Sequence, residues 1–154
     1  MIALPLEKLR EVLNCPQLDI HIHDTWGSAN PEHRTLIREF IAQNIPKTPK
    51  SHNSISHCRQ SGIIVVAGKN IGVDIEEVAR VKEAVIRRMS SEQEVAAAPS
   101  FACLWAAKEA SFKALMNYKQ PMVVSRLEIG EWHTIDSQIE TFKLFVITKR
   151  FCHS

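Results

Sequence analysis

Apolar residues at Leu6, Leu9, Val12 and Leu13 recur at helical spacing, so Leu4 to Leu13 is predicted as an amphipathic helix that Pro16 stops. From Gln17 to Trp26 the period changes to two. Leu18, Ile20 and Ile22 alternate with Asp19, His21 and His23, which predicts a strand with one wet face. A turn at Gly27 to Asn30, with Asn30 as cap and Pro31 at the first helical position, opens a helix whose buried stripe is Leu36, Ile37, Phe40 and Ile41. Ile45 to His52, with Pro46, Lys47, Pro49 and Lys50, reads as a stiff, basic, exposed connector. The Ile- and Val-rich runs Gly62 to Ala67 and Ile71 to Glu76 flank the turn Gly68-Lys69-Asn70 and are predicted as paired strands.

Beyond Glu77 the helical period returns at Val78, Val81, Val85 and Ile86. Ser91 followed by Glu94 is a capping box for a short helix that Pro99 closes. The main helix opens at Ser100 or Phe101, with an apolar stripe of Phe101, Leu104, Trp105, Phe112, Leu115 and Met116. After Lys119-Gln120-Pro121 come three predicted strands, Val123 to Ile129, Trp132 to Ile135 and Phe142 to Thr148, expected to supply the second half of a sheet.

The 154 residues, 45% of them hydrophobic, suit one compact unit or two half-domains sharing a core. A formal charge of +2 admits an acidic partner or a phosphorylated ligand and falls short of a nucleic-acid signature. Cys15, Cys58, Cys103 and Cys152 lack C-x-x-C spacing, which favours reduced thiols over a disulfide framework. Glu7, Lys8, Arg10 and Glu11 break up any signal-like apolar core, and no run is long enough to span a bilayer. The expected setting is cytoplasmic, without membrane or nucleic acid as partner.

The sharpest candidate chemistry lies in Asp74 and Glu76. On a strand they share one face, ~6.5–7 Å apart along the chain, with Val73 and Ile75 on the other. Glu109 sits on the packed side of the main helix, where it needs a cation, either Lys113 one turn on or a metal. Three carboxylates with a phosphate suit Mg²⁺. Lys108 is expected on the flank of that helix. Arg34 and Thr35, in the first turns of the earlier helix, are placed for an anion, although read alone they are a solvated face. Ser56 and His57 fall at a strand's end, where side chains reach ligands. A zinc site at His21 and His23 lacks a third ligand at motif spacing. A Cys58–His57 nucleophile lacks an orienting group.

Val73-Asp74-Ile75-Glu76, followed by Trp105-Ala106-Ala107-Lys108-Glu109-Ala110-Ser111-Phe112-Lys113, resembles the motif pair of the 4′-phosphopantetheinyl transferase superfamily. The Ser91 to Glu94 box, His33-Arg34-Thr35-Leu36 and Ser54-Ile55-Ser56-His57 extend the likeness, and they resemble the surfactin-synthetase type more than the short trimeric holo-acyl-carrier-protein synthases. The resemblance implies an α+β pseudo-dimer of two similar half-domains, taken as residues 1–72 and 73–154, monomeric in preference to homotrimeric. It implies transfer of the 4′-phosphopantetheine arm of coenzyme A to a serine of an acyl or peptidyl carrier protein. Asp74, Glu76 and Glu109 would bind Mg²⁺, and Lys108 and Lys113 the pyrophosphate. Arg34, Thr35, Ser56 and His57 would hold the adenosine phosphates, with Lys47 or Lys50 as the basic residue of the connector. Glu109, directly or through a water, is the candidate base, and Glu94 a candidate to orient Lys113.

The segment ahead of His33 lacks the basic cluster of larger members, the connector to Ser54 is short, and Cys58 replaces a small hydroxyl residue. Those departures motivate a second expectation, a non-catalytic relative that binds coenzyme A or a carrier protein as chaperone or assembly partner. In a purely structural account, Glu109 and Lys113 form an ordinary i, i+4 pair worth about 0.3–0.5 kcal/mol.

Overall fold

The computed structural model describes residues 4–146 apart from 49, 119, 122 and 138; Thr148, where the last predicted strand ends, and Cys152 lie outside the described residues. Its first part is a helix α1 (Leu6–Val12), a strand β1 (Asp19–His23), a helix α2 (His33–Asn44) and strands β2 (His52–His57) and β3 (Gly62–Ala67). The three strands form one antiparallel sheet in the order β1-β3-β2. β3 is a nearly unbroken apolar run because it is the central strand and both its faces are covered. Ile64 and Val66 meet Ile37, Phe40 and Ile41 of α2, with Trp26 and Ile55 completing that layer. On the other face, Ala67 packs with Leu18, Ile20 and Cys15 beneath Leu6 and Leu9 of α1.

The predicted wet face of β1 is wet at its ends, where Asp19 and His23 are exposed, and partly covered at its centre. His21 lies opposite Ile64, on the side that α2 occupies, and its ring meets Phe40 at 4.8 Å. Imidazole presents an apolar body and a polar tip, so a helix seats on this face while His21 Nε2 reaches Asp19 at 3.0 Å.

The second part comprises α3 (Glu83–Met89), α4 (Glu92–Ala97), α5 (Phe101–Ala114) and the hairpin of β4 (Leu127–Thr134) and β5 (Glu140–Val146). Its core gathers Ile86, Leu104, Ala107 and Ile129 around Phe101, Trp105, Trp132 and Phe142. The capping box forms as expected: Ser91 Oγ accepts from Glu94 N, and Glu94 answers the Ser91 amide. Ser100 caps α5 through Cys103 N. The final strands do not extend the first sheet. They pair with each other in a separate two-stranded sheet, whose bulge between Gly130 and His133 holds Glu131 at φ 50°. The period-3.6 stripe fails at Val78, which stands in a short 3₁₀ turn and is 75% exposed.

The stretch Ile71 to Glu76 is extended but joins neither sheet, which corrects its predicted pairing as a strand with Gly62 to Ala67. Serine hydroxyls of β2 replace a neighbouring backbone: Val73 N donates to Ser54 Oγ at 3.0 Å and Ile75 N to Ser56 Oγ at 3.4 Å. Gly72 presses directly on α5, where a Cβ would fall 1.8 Å from the carbonyl oxygen of Ala110. Alternation thus reports extended backbone faithfully, and the partner it finds is a row of side chains and a helix.

Candidate active site

Trp105, Glu109 and Lys113 recur every four residues and form one stripe on α5, about 12 Å long at 1.5 Å per residue. The extended segment from Val73 to Glu76 covers about 10 Å, so the two run alongside each other. At one end Trp105 Nε1 donates to Glu76 Oε1 at 3.0 Å. At the other, Lys113 Nζ donates to Asp74 Oδ1 at 2.7 Å and to the Val73 carbonyl at 3.0 Å.

Asp74 is the anchored member. Its side chain is 5% exposed, and Oδ1 also accepts from Ser56 Oγ at 2.7 Å. Oδ2 is buried and has no hydrogen-bond donor among the described residues. Burial raises the pKa of Glu76 above the ordinary carboxylate value, and the negative charge of Asp74, the approach of that side chain and the charge of Glu109 raise it further. The Trp105 hydrogen bond opposes the shift. Burial likewise raises Glu109, with Asp74 adding and Lys113 opposing. Three carboxylates thus bear on one another, with the Lys113 ammonium acting on Asp74 and Glu109.

Among the described residues, no three Asp, Glu, His or Cys side chains converge into a ready-made metal cluster. The orphaned oxygen of Asp74 and the two raised carboxyls nevertheless fit a hard divalent cation. Mg²⁺ keeps several waters and is held by one or two carboxylates plus substrate phosphates, so it needs no closed protein cage.

The remaining predicted site residues divide. Ser56 and His57 are neighbours on β2 and face opposite ways: Ser56 supports Asp74, which corrects its expected place at a phosphate. His57 faces α2, its ring 4.8 Å from that of His33. Burial lowers the His57 pKa, and the charges of His33, Arg34 and Lys113 lower it further, so His57 lies in a basin that these three side chains border. His33 Nδ1 pairs with the Asn30 carbonyl, while its Nε2 is buried without a partner among the described residues. Arg34 and Thr35 are exposed in the first turn of α2, and Lys47 and Lys50 are exposed on the connector.

Lys108 is the largest departure. Expected at a pyrophosphate from the flank of its helix, it is instead 0% exposed and pairs with Glu94 Oε1 at 2.6 Å. Glu94 therefore orients Lys108, and Lys113 turns to Asp74.

Beside Asp74 a cavity of about 670 Å³ opens between α5 and the β4–β5 hairpin, floored by Ala106, Ala107 and Ala110 and walled by Trp132 and Phe142. No helix among the described residues is long and apolar enough to cross a membrane.

The family model of the 4′-phosphopantetheinyl transferase superfamily matches residues 70–153. The chain belongs to that superfamily. Within the matched span lie Asp74, Glu76, Glu109 and Lys113, the carboxylates and ammonium of the site, along with Trp105. The α+β architecture is compatible with membership, and at family level the chain is a phosphopantetheinyl transferase. No curated protein and no solved structure matches. Of that basin, Arg34, His33 and His57 precede the matched span and Lys113 lies inside it.

Trp105, Ser54 and His33 escaped the sequence reading as site residues, and Ser56 was expected in another role. Trp105 passed as a core residue because its ring is apolar, yet its indole N–H needs an acceptor when buried. Ser54 and Ser56, two apart on a strand, were legible as a polar row on one face. His33 offered no signal beyond its place in the His33-Arg34-Thr35-Leu36 motif.

Proposed function

We propose that this protein transfers the 4′-phosphopantetheine arm of coenzyme A to a serine of an acyl or peptidyl carrier protein in the cytoplasm, with Mg²⁺ as cofactor and 3′,5′-ADP as the second product. The observation that carries the reading is the α5 stripe of Trp105, Glu109 and Lys113 lying against Asp74 and Glu76, inside the span that matches the family.

Asp74, Glu76 and Glu109 are the residues that would hold Mg²⁺. Bound there, it would neutralise the pyrophosphate and the charge developing on the leaving group. Lys113, 28% exposed, is placed to meet a phosphate oxygen as well as Asp74. Glu109 accepts the proton of the carrier serine as its Oγ bonds to the β-phosphorus and the bond from that phosphorus to 3′,5′-ADP breaks. Ser56 holds Asp74 in register. Arg34, Thr35 and His57 receive the adenosine phosphates, assisted by Lys47 or Lys50 from the connector.

Each half contributes to one cleft: residues 1–72 bring the cationic basin and residues 73–154 the carboxylates and Lys113. That division favours the surfactin-synthetase type, a monomeric pseudo-dimer, over a trimer. A groove of about 180 Å³ beside Glu76, lined by Arg80, Val81, Lys82, Val85 and Trp105, offers an acidic carrier both charge and apolar contact.

Asp74→Ala and Glu109→Ala are the variants that test the assignment. Both should fold and lose Mg²⁺-dependent transfer, and retained transfer in either would overturn the metal site.

A further inference from the structure

The buried pair Lys108–Glu94 ties three elements at one point. Lys108 Nζ donates to the Leu127 carbonyl at 2.5 Å as well as to Glu94 Oε1. Glu94 Oε1 accepts from Ile129 N at 2.9 Å, and its Oε2 accepts from the Ser91 amide at 2.8 Å. Lys108 and Glu94 are 0% and 5% exposed, so no ligand reaches the ammonium without the core opening.

A buried ion pair adds little net stability over an apolar pair of the same volume, because desolvation cancels most of the attraction. What it adds is direction. The other inward residues of α5, Leu104, Ala107 and Ser111, include no long side chain with a directional bond to β4. Apolar contacts set how deep a helix lies more firmly than how it is rotated. Lys108 fixes the rotation, and Glu109 and Trp105 follow from it, since successive residues turn by about 100°. A 20° rotation of α5 would swing a carboxylate about 6 Å from the helix axis through roughly 2 Å, beyond the ~0.5 Å tolerance of a functional constellation.

We propose that the Lys108–Glu94 pair is the strut that sets the rotation of α5, holding Glu109 toward Asp74 and Trp105 on Glu76; Lys108 is a positioning residue and touches no phosphate. The part concerning the cation rests on the transferase reading above, and the part concerning Trp105 does not.

The test compares Lys108→Met with the double variant Lys108→Met/Glu94→Gln. The single variant leaves a buried carboxylate alone and should melt far lower; the double variant should recover much of the loss. In the double variant we expect three results: a shifted, faster-exchanging Trp105 indole N–H resonance with that of Trp26 unchanged, at least tenfold weaker Mn²⁺ binding by electron paramagnetic resonance, and coenzyme A affinity within about twofold of wild type by calorimetry. An unmoved Trp105 resonance with wild-type Mn²⁺ binding overturns the proposal. So does a fall in coenzyme A affinity with Mn²⁺ binding intact, which would make Lys108 a phosphate contact. If the wild-type protein binds no Mn²⁺ and transfers nothing while Trp105 still shifts in the double variant, the transferase reading falls and the strut stands.

Discussion

Lys113 Nζ lies 2.7 Å from Asp74 Oδ1, and its charge also bears on Glu109 one turn back on α5. Lys113→Met keeps the stem and removes the charge, leaving a nearly buried carboxylate with Ser56 as its donor. The expected cost is about 1–3 kcal/mol, read as a Tm lower by roughly 2–4 °C per kcal/mol. Transfer should fall ~100-fold, as when one stabilising donor is removed. A variant with wild-type Tm and turnover would show that the pair matters neither to the fold nor to the chemistry.

Glu76 carries the opposite expectation. Its folded pKa is raised above the ordinary value of 4.5 by burial first and by Asp74 next. A raised carboxyl binds its proton more tightly in the folded chain, so its favourable contribution is full below pH 4.5 and is lost as pH rises through the folded value. Without divalent cations, Glu76→Gln should therefore raise Tm at neutral pH, with the Trp105 hydrogen bond kept. The same substitution should weaken the stabilisation that Mg²⁺ gives the wild-type protein. Thermal melts from about pH 4 to about pH 8, with and without Mg²⁺, read both effects; a lower Tm for the variant at neutral pH would contradict them.

How far the sequence reveals this site depends on what each residue type signals. Asp74, Glu76 and Glu109 stand out because charged side chains amid apolar runs need a reason, and the capping box at Ser91 is a local device that needs no tertiary context. Lys108 misleads because it neighbours Glu109 in the motif, while one residue of helix turns it 100° into the core, where Glu94 meets it. The segment Ile71 to Glu76 misleads for another reason. Alternation fixes extended backbone without saying whether the partner is a strand, and Gly72 finds a helix. The two sheets are separate, and which strands pair across a long stretch of chain leaves no local trace.

Gly72→Ala tests that close approach. The added Cβ would meet backbone atoms of α5, Ala110 O at 1.8 Å and Ala114 N at 2.6 Å, so the segment carrying Asp74 must lift off the helix. We expect a loss of about 1–3 kcal/mol, as for other overpacking substitutions, together with a disproportionate drop in transfer. Chemical denaturation and turnover measure the two, and an unchanged variant would mean that the contact is dispensable.

His57 links pH to coenzyme A. Its folded pKa lies below the ordinary 6.5, owing first to burial and then to His33, Arg34 and Lys113. The stability it contributes is present above pH 6.5 and is lost as pH falls through the folded value. A phosphate in that basin reverses the field and favours the protonated ring. Coenzyme A should bind more tightly as pH falls from about 8 to about 6. His57→Ala should weaken binding about tenfold and flatten the dependence. Calorimetry with coenzyme A and its 3′-dephospho analogue separates the contribution of that phosphate; equal pH profiles for wild type and variant would remove His57 from the site.

Intact-mass spectrometry of an apo-carrier protein incubated with this protein, coenzyme A and Mg²⁺ tests arm transfer most directly. The expected result is a carrier heavier by one phosphopantetheine arm on its serine, with no gain when Mg²⁺ is chelated or when Asp74→Ala replaces the wild-type protein. Unmodified carriers, across acyl and peptidyl types and with coenzyme A shown to be bound, would contradict it and leave a protein that binds without catalysing.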